Sequence, residues 1–190
     1  MKMPTAHEAL YRTMHNCHEG YINTNQGLRR LRYWLPLLPD PPVSILDVGC
    51  GNGKLCELLA DMDYTDITGL DIVPGPYDRK NYNFVQHDLL KGTLPFKDKE
   101  FDVCFSFDAI EHLPEKYDEI LAEMLRVSKL LIGTIACFDR TILHPTVFEP
   151  GRWIAKISEL SQDTMGYKIF TNDANTQDTL FFYTNTRKKV

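Results

Sequence analysis

ILDVGCGNGKL, running from Ile45 to Leu55, is the stretch whose reading decides the fold. The apolar run Val43–Val48 leads straight into glycines, which is how a short buried strand of a parallel sheet ends. Beyond the glycines, Leu55, Leu58 and Leu59 fall on one side of Lys54–Met62, the spacing of an amphipathic helix. Gly49, Gly51 and Gly53 therefore occupy a strand-to-helix turn, where glycine lets the backbone turn sharply and approach a ligand closely. Exposed N–H groups at the start of a helix favour an anionic or electron-rich group. Two familiar nucleotide loops are excluded. The third glycine of G-x-G-x-x-G would fall at Lys54, and the phosphate loop needs a hydroxyl where Leu55 stands. Asp47, just before the glycines, would sit poorly against a pyrophosphate. It suits a cofactor that carries an ammonium and a sulfonium, as S-adenosylmethionine does.

Outward from this loop, strands and helices alternate. Asp66–Leu70 reads as a second strand closing at Asp71, Asn83–Gln86 as a brief third before Asp88, and Phe101–Phe107 as a fourth. Pro114 fits the first turn of a helix reaching Val127. Lys129–Ala136 is the most apolar strand. A helix over Gly151–Leu160 then leads to strands at Tyr167–Thr171 and Thr179–Thr184. The polar loop between that pair leaves no room for a helix, so the pair should be antiparallel. Upstream, residues 5–20 read as weakly helical. A better helix begins at Asn23 or Thr24, carries Leu28, Leu31 and Leu35 at helical spacing, and is stopped by Pro36 and by Pro39 to Pro42. The closing TRKKV reads as a frayed tail.

Alternation of this kind predicts a parallel sheet covered on both faces. A length of 190 residues fits one domain, taken as 1–190, with a helical lid or support over 1–42 and a core over 43–184. A net charge of −5 argues against a protein that grips long nucleic acid, because phosphate neutralisation dominates that affinity. Cys17, Cys50, Cys56, Cys104 and Cys137 form no CxxC pair, and several lie in apolar runs as buried free thiols do. With no apolar leader and no span of membrane length, the expectation is a cytoplasmic protein with no membrane partner. His15-Asn16-Cys17-His18 matches no zinc spacing, so no metal site is expected.

The loop resembles the first motif of the class I S-adenosylmethionine-dependent methyltransferases, (V/I)LD(V/I)GCGxG, and the likeness runs from Val43 to Thr184. The resemblance implies a Rossmann-like, doubly wound α/β fold with seven strands, mostly parallel, and an antiparallel last strand. It implies that Asp47, Gly49, Cys50 and Gly51 hold the methionine end of the cofactor. Asp71, about twenty residues past the glycines, stands where Rossmann-like folds place the ribose-binding acid; its alternative is a capping residue at a strand end. Ile72 follows it as a cofactor contact. Asp88 is implied to take the adenine amine, with the Leu89 backbone near the ring, against the alternative of an ordinary turn aspartate. Phe107 completes the implied contacts.

Ser106 to Pro114 matches the S-x-x-x-x-E-H-L-P stretch of family members that methylate small molecules. The [D/N/S]-P-P-[Y/F/W] signature of DNA amino-methyltransferases is missing, as is a Pro-Cys nucleophile, so DNA is not expected as acceptor. Displacement from a sulfonium mainly requires alignment and exclusion of water. A base is needed only where the acceptor loses a proton, and His112 and His144 are the candidates. His112 also reads as a locally bonded helix-start residue. His144, held extended before Pro145, also reads as a pocket-lining residue. Tyr11, Tyr21 and Trp34 offer aromatic surface for a lid, although Trp34 equally fits a helix packed on the sheet. Arg29, Arg30 and Arg32 read as a solvated face that an anionic acceptor could use. The expectation is methyl transfer to a small-molecule acceptor. RNA or protein as acceptor, or a cofactor-binding protein without catalysis, stay open.

Overall fold

In the computed structural model seven strands lie in one sheet: β1 (Ser44–Val48), β2 (Asp66–Asp71), β3 (Asn83–Gln86), β4 (Phe101–Phe107), β5 (Ser128–Ala136), β6 (Met165–Asn172) and β7 (Gln177–Asn185). Their order across the sheet is β3-β2-β1-β4-β5-β7-β6. The structure describes residues 30–73, 81–138, 144–161, 165–172 and 177–185, together with Ala9. Neighbours among β1 to β5 pair in parallel. β7 runs antiparallel to both β5 and β6, so it alone opposes the rest. The doubly wound sheet with a reversed last strand is thus the observed architecture. β6 and β7 are longer than their apolar cores suggest, because ladder bonds join backbones whatever the side chain, from Met165 opposite Thr184 to Asn172 opposite Gln177.

Helices α1 (Leu31–Trp34), α2 (Lys54–Asp61), α3 (Tyr117–Val127) and α4 (Pro150–Ser161) accompany the sheet. Alternation along each strand sorts its side chains into two cores. One gathers Leu46, Leu70, Cys104 and Leu131 with Ile120, Leu121 and Met124 of α3 and Trp153 and Ile157 of α4. The other gathers Ile45, Ile67, Val103, Phe105 and Ile132 with Leu55 and Leu59 of α2 and Trp34 of α1. β7 serves both, with Phe182 on the first face and Phe181 on the second.

Two boundaries differ from the sequence reading. Pro114 does not open α3. Ile110–His112 form a single tight turn, Leu113 is extended as a residue before proline prefers, and Lys116 in the left-handed region (φ 61°) precedes the first helical residue, Tyr117. Nor does Pro36 end the upstream helix cleanly. α1 stops at Trp34, and Leu35–Leu37 tighten into a 3-10 turn that holds Pro36, whose missing N–H costs nothing at the start of a turn. The beginning of that helix near Asn23, the segment 5–20 apart from Ala9, and Tyr11, Tyr21, Leu28 and Arg29 lie outside the described residues.

Trp34 is completely buried, with its ring 5.2 Å from Phe105 and 6.1 Å from Phe107. It packs on the sheet, as the supporting-helix reading requires. Trp34→Ala should therefore cost about 3–5 kcal/mol of stability, the range for emptying a large buried aromatic site, measured by urea unfolding. A loss below about 1 kcal/mol would mean that this residue is not part of the core.

Candidate functional site

The turn between β1 and α2 is pinned from below. Leu70, the residue before the end of β2, accepts N–H bonds from both Gly49 (2.8 Å) and Cys50 (3.1 Å) through its carbonyl. Gly49 takes φ 76°, and a Cβ there would stand 2.5 Å from the Ala109 Cβ, so no other residue fits without displacing the turn after β4. Gly51 differs. It takes φ 54°, but a Cβ there would meet nothing within 4 Å. The loop thus presents bare backbone to open space at Gly51. This is the cradle a ligand needs.

Three acids follow at neighbouring strand ends. Asp47 is 3% exposed, and among the described residues its Oδ2 accepts a single long bond, from the Cys56 thiol (3.6 Å). Burial first, with the nearby charge of Asp71 added, pushes its carboxyl up to about 7. Asp71 accepts the Gly51 N–H at Oδ2 (2.9 Å) and the Val73 N–H at Oδ1 (3.0 Å). It is therefore a capping residue as well as a candidate ribose ligand, and a carboxylate with about four acceptor positions can serve both purposes. Ile72 offers its carbonyl to the Gln86 amide (2.9 Å). Asp88 caps the turn that begins at Leu89, accepting from the Leu90 N–H at 3.0 Å. Adjacent His87 is buried, and its Nε2–H donates to the Thr93 carbonyl at 2.7 Å, a structural tie. Because β3, β2, β1 and β4 are consecutive in the sheet, Asp88–Leu89, Asp71–Ile72, Asp47 with its glycine loop, and Phe107 line up along one carboxyl edge. Ligands of open α/β sheets bind at such an edge.

His112 and His144 come together although 32 positions separate them in sequence. Their rings meet edge to face with centroids 4.7 Å apart, and Phe138 flanks His144 at 6.3 Å. What joins their two loops is Glu111, a residue to which the sequence reading assigned no role. Glu111 is fully buried, and its Oε1 accepts the Ala136 N–H at the end of β5 (2.7 Å). Its backbone carbonyl accepts the Thr146 N–H (3.2 Å), and the Thr146 hydroxyl donates to the Leu113 carbonyl (2.5 Å). Burial, reinforced by the charge of Asp108, pushes the Glu111 carboxyl well above the usual range. The Glu111 carboxyl clasps two loops, and its only sequence signal was its place in Glu111-His112-Leu113-Pro114.

Residues 46–130, from within β1 into β5, match the family model described as a methyltransferase domain. A solved structure of 1,6-didemethyltoxoflavin-N1-methyltransferase from Burkholderia thailandensis, with bound 1,6-didemethyltoxoflavin and S-adenosylhomocysteine, has the same fold. The TM-score is 0.75 at 13% identity, over 99% of this chain and 94% of that one. The chain has the fold of the class I methyltransferases, and residues 46–130 carry the sequence match. The cofactor of that class is S-adenosylmethionine. The chain is also similar in sequence to the 18S rRNA (guanine-N(7))-methyltransferase of Bos taurus, 35% identical over 78 residues, covering 39% of this chain and 27% of the bovine protein. It is 27% identical over 131 residues to the ubiquinone biosynthesis O-methyltransferase of Bartonella tribocorum, covering 64% of this chain and 52% of that protein. The chain spans about half or less of the length of these curated relatives. Among the described residues no group of three or more His, Cys, Asp or Glu side chains is arranged to hold a metal. No described helix is long and apolar enough to cross a membrane. The His15–His18 segment lies outside the described residues.

Asp47 gives the protein a measurable pH dependence. Its folded carboxyl titrates near 7, above the ordinary unfolded value near 4. The native state therefore binds the extra proton, and the stability Asp47 contributes is full below about pH 4 and lost as pH rises through 7. Glu111 acts in the same direction. The stability gain of Asp47→Asn over wild type should grow between pH 4 and pH 8, by an amount on the order of 4 kcal/mol, in urea unfolding of both proteins. A pH-independent difference would refute the assignment.

Proposed function

We propose that this protein transfers the methyl group of S-adenosylmethionine to a small-molecule acceptor by in-line displacement. The observation that supports it best is the open backbone cradle at Gly51, flanked along one sheet edge by Asp47, Asp71 and Asp88. Bound at that edge, the cofactor supplies an electrophilic methyl carbon on a sulfonium with a good leaving group. Asp47, Gly49, Cys50 and Gly51 would hold its methionine end, where an ammonium near Asp47 draws that carboxyl back into its charged form. Asp71 and Ile72 would hold the ribose, Asp88 and the Leu89 backbone the adenine, and Phe107 would wall the site. His112 and His144 sit where an acceptor proton could be taken, and the clasp at Glu111 keeps their loops together. The Ser106–Pro114 stretch and the acidic balance of the chain support a small acceptor. The buried free thiols of Cys50, Cys56 and Cys104 support a reducing, cytoplasmic setting. One relative named for 18S rRNA favours a second reading in which the acceptor is RNA.

Calorimetry with S-adenosylhomocysteine tests the cofactor site. Wild type should bind it, and Asp71→Ala should bind at least about tenfold more weakly, the loss expected for hydrogen bonds to a charged acceptor. Binding of NAD with no response to S-adenosylhomocysteine, or an unchanged affinity in the variant, would overturn the assignment.

Following radiolabelled methyl from the cofactor into cell extract separated into small molecules, RNA and protein tests the acceptor. Label should appear in the small-molecule fraction and fall by about a hundredfold or more in a His112→Gln, His144→Gln double variant if a proton is removed in the transfer. Label in RNA selects the second reading, and cofactor binding without any transfer selects a protein that lacks catalysis.

A further inference from the structure

One cluster outside the cofactor edge is built from residues that sequence alone does not connect. β6 is the edge strand, and Lys168 reaches from it to Tyr33 of α1, 135 positions earlier. The Tyr33 hydroxyl accepts from Lys168 Nζ at 3.3 Å and from Arg32 Nη2 at 2.8 Å. The same ring carries the Arg32 guanidinium 4.8 Å and the Lys168 ammonium 4.7 Å from its centroid. Phe170 packs against Tyr33 at 5.0 Å and seats the Arg30 guanidinium at 4.1 Å. Hydrogen bonding from Lys168 first, then from Arg32, holds the Tyr33 phenol below its ordinary range.

The bland account is that these stacks staple an edge strand to α1. It leaves one fact unexplained. Arg32 and Lys168 are both exposed, and among the described residues neither is paired with a carboxylate. Because both donate to one oxygen, their nitrogens lie within about 6 Å of each other, where like charges repel. An aromatic face attracts a cation without neutralising it, so the N–H groups keep their charge for a third partner. A single anion between them would relieve the repulsion, taking forked bonds from the guanidinium and a point charge from the ammonium. In a chain of net charge −5 this arrangement is against the general trend.

Its position gives the anion a purpose. Trp34, next to Tyr33, packs on Phe107 at the carboxyl end of β4. Phe170 lies opposite Thr179, which lies opposite Ala136, the end of β5 that Glu111 holds. β6 is two strands from β5, roughly 10 Å at the usual strand spacing, a distance that a metabolite-sized molecule spans. We propose that Arg32 and Lys168, seated on Tyr33, anchor a phosphate or carboxylate group carried by the methyl acceptor. This inference rests on the small-molecule reading proposed above.

The test uses the full chain saturated with S-adenosylhomocysteine and titrates phenyl phosphate, benzoate and the neutral benzyl alcohol by calorimetry. At least one anion should bind while the neutral compound does not, and comparison of the two anions separates phosphate from carboxylate. Arg32→Gln and Lys168→Gln should each weaken that anion by about tenfold or more, with S-adenosylhomocysteine affinity unchanged. Equal binding of charged and neutral probes, or of wild type and both variants, would overturn the proposal. So would a short single-stranded RNA that binds more tightly than either aryl anion and loses affinity steeply with salt, since that marks a polyanion surface. Failure of wild type to bind S-adenosylhomocysteine would defeat the underlying methyl-transfer reading, and the anion titration is then read on the chain without it.

Discussion

The carbonyl of Leu70 is the point on which the site depends. By accepting the N–H groups of Gly49 and Cys50 together, it fixes the loop after β1 to the end of β2. One residue further, the Asp71 carboxylate takes the Gly51 N–H. Three successive amides are thereby committed to β2, and the chain can follow that path only with positive φ at Gly49 and Gly51. The pairing of β1 with β2, from Ser44 opposite Asp66 to Val48 opposite Leu70, sets this geometry. A shift of register by one residue would turn Asp71 to the wrong face and remove the loop's anchor.

The same edge concentrates acids that a purely structural sheet would avoid. Asp47 and Glu111 are both buried and both held toward the neutral form, and their ionisation has to be resisted by the fold. They differ in purpose. The carbonyl side of the Glu111 carboxyl is used internally, where it completes the hydrogen bonding of Ala136 at a strand end. Asp47 meets only the Cys56 thiol among the described residues, at 3.6 Å. One is a clasp between loops, and the other is a buried carboxyl whose proton is held by burial and by the charge of Asp71.

The succession of strands along the chain and the glycine loop were legible because each rests on local chemistry: apolar runs of strand length, glycine at the turn, an acid at each strand end. The reversed final strand followed from a loop too short to hold a helix. What escaped the sequence was set by long-range contact. Pro114 carried a helix-start signal, but the preceding residues were already used in a turn that Glu111 ties to β5. Asp71 and Asp88 each had two readings, ligand or cap, and the structure shows the capping bonds of both. The meeting of His112 with His144, and of Arg32 with Lys168, depends on which loops and strands lie side by side, and no spacing encodes that.

β7 has a further consequence for how the chain is made. It is the last strand in sequence, yet it lies between β5 and β6 and supplies Leu180, Phe181 and Phe182 to the interior. During synthesis β1 to β5 can assemble as a parallel set while β6, already complete, has no partner beside it. Synthesis proceeds from the N-terminus, so the interior of the sheet waits for β7, made after every other strand of the sheet. A nascent chain interrupted before Leu180 would expose one open edge on β5 and a second on β6, the kind of unpaired backbone that invites association between chains.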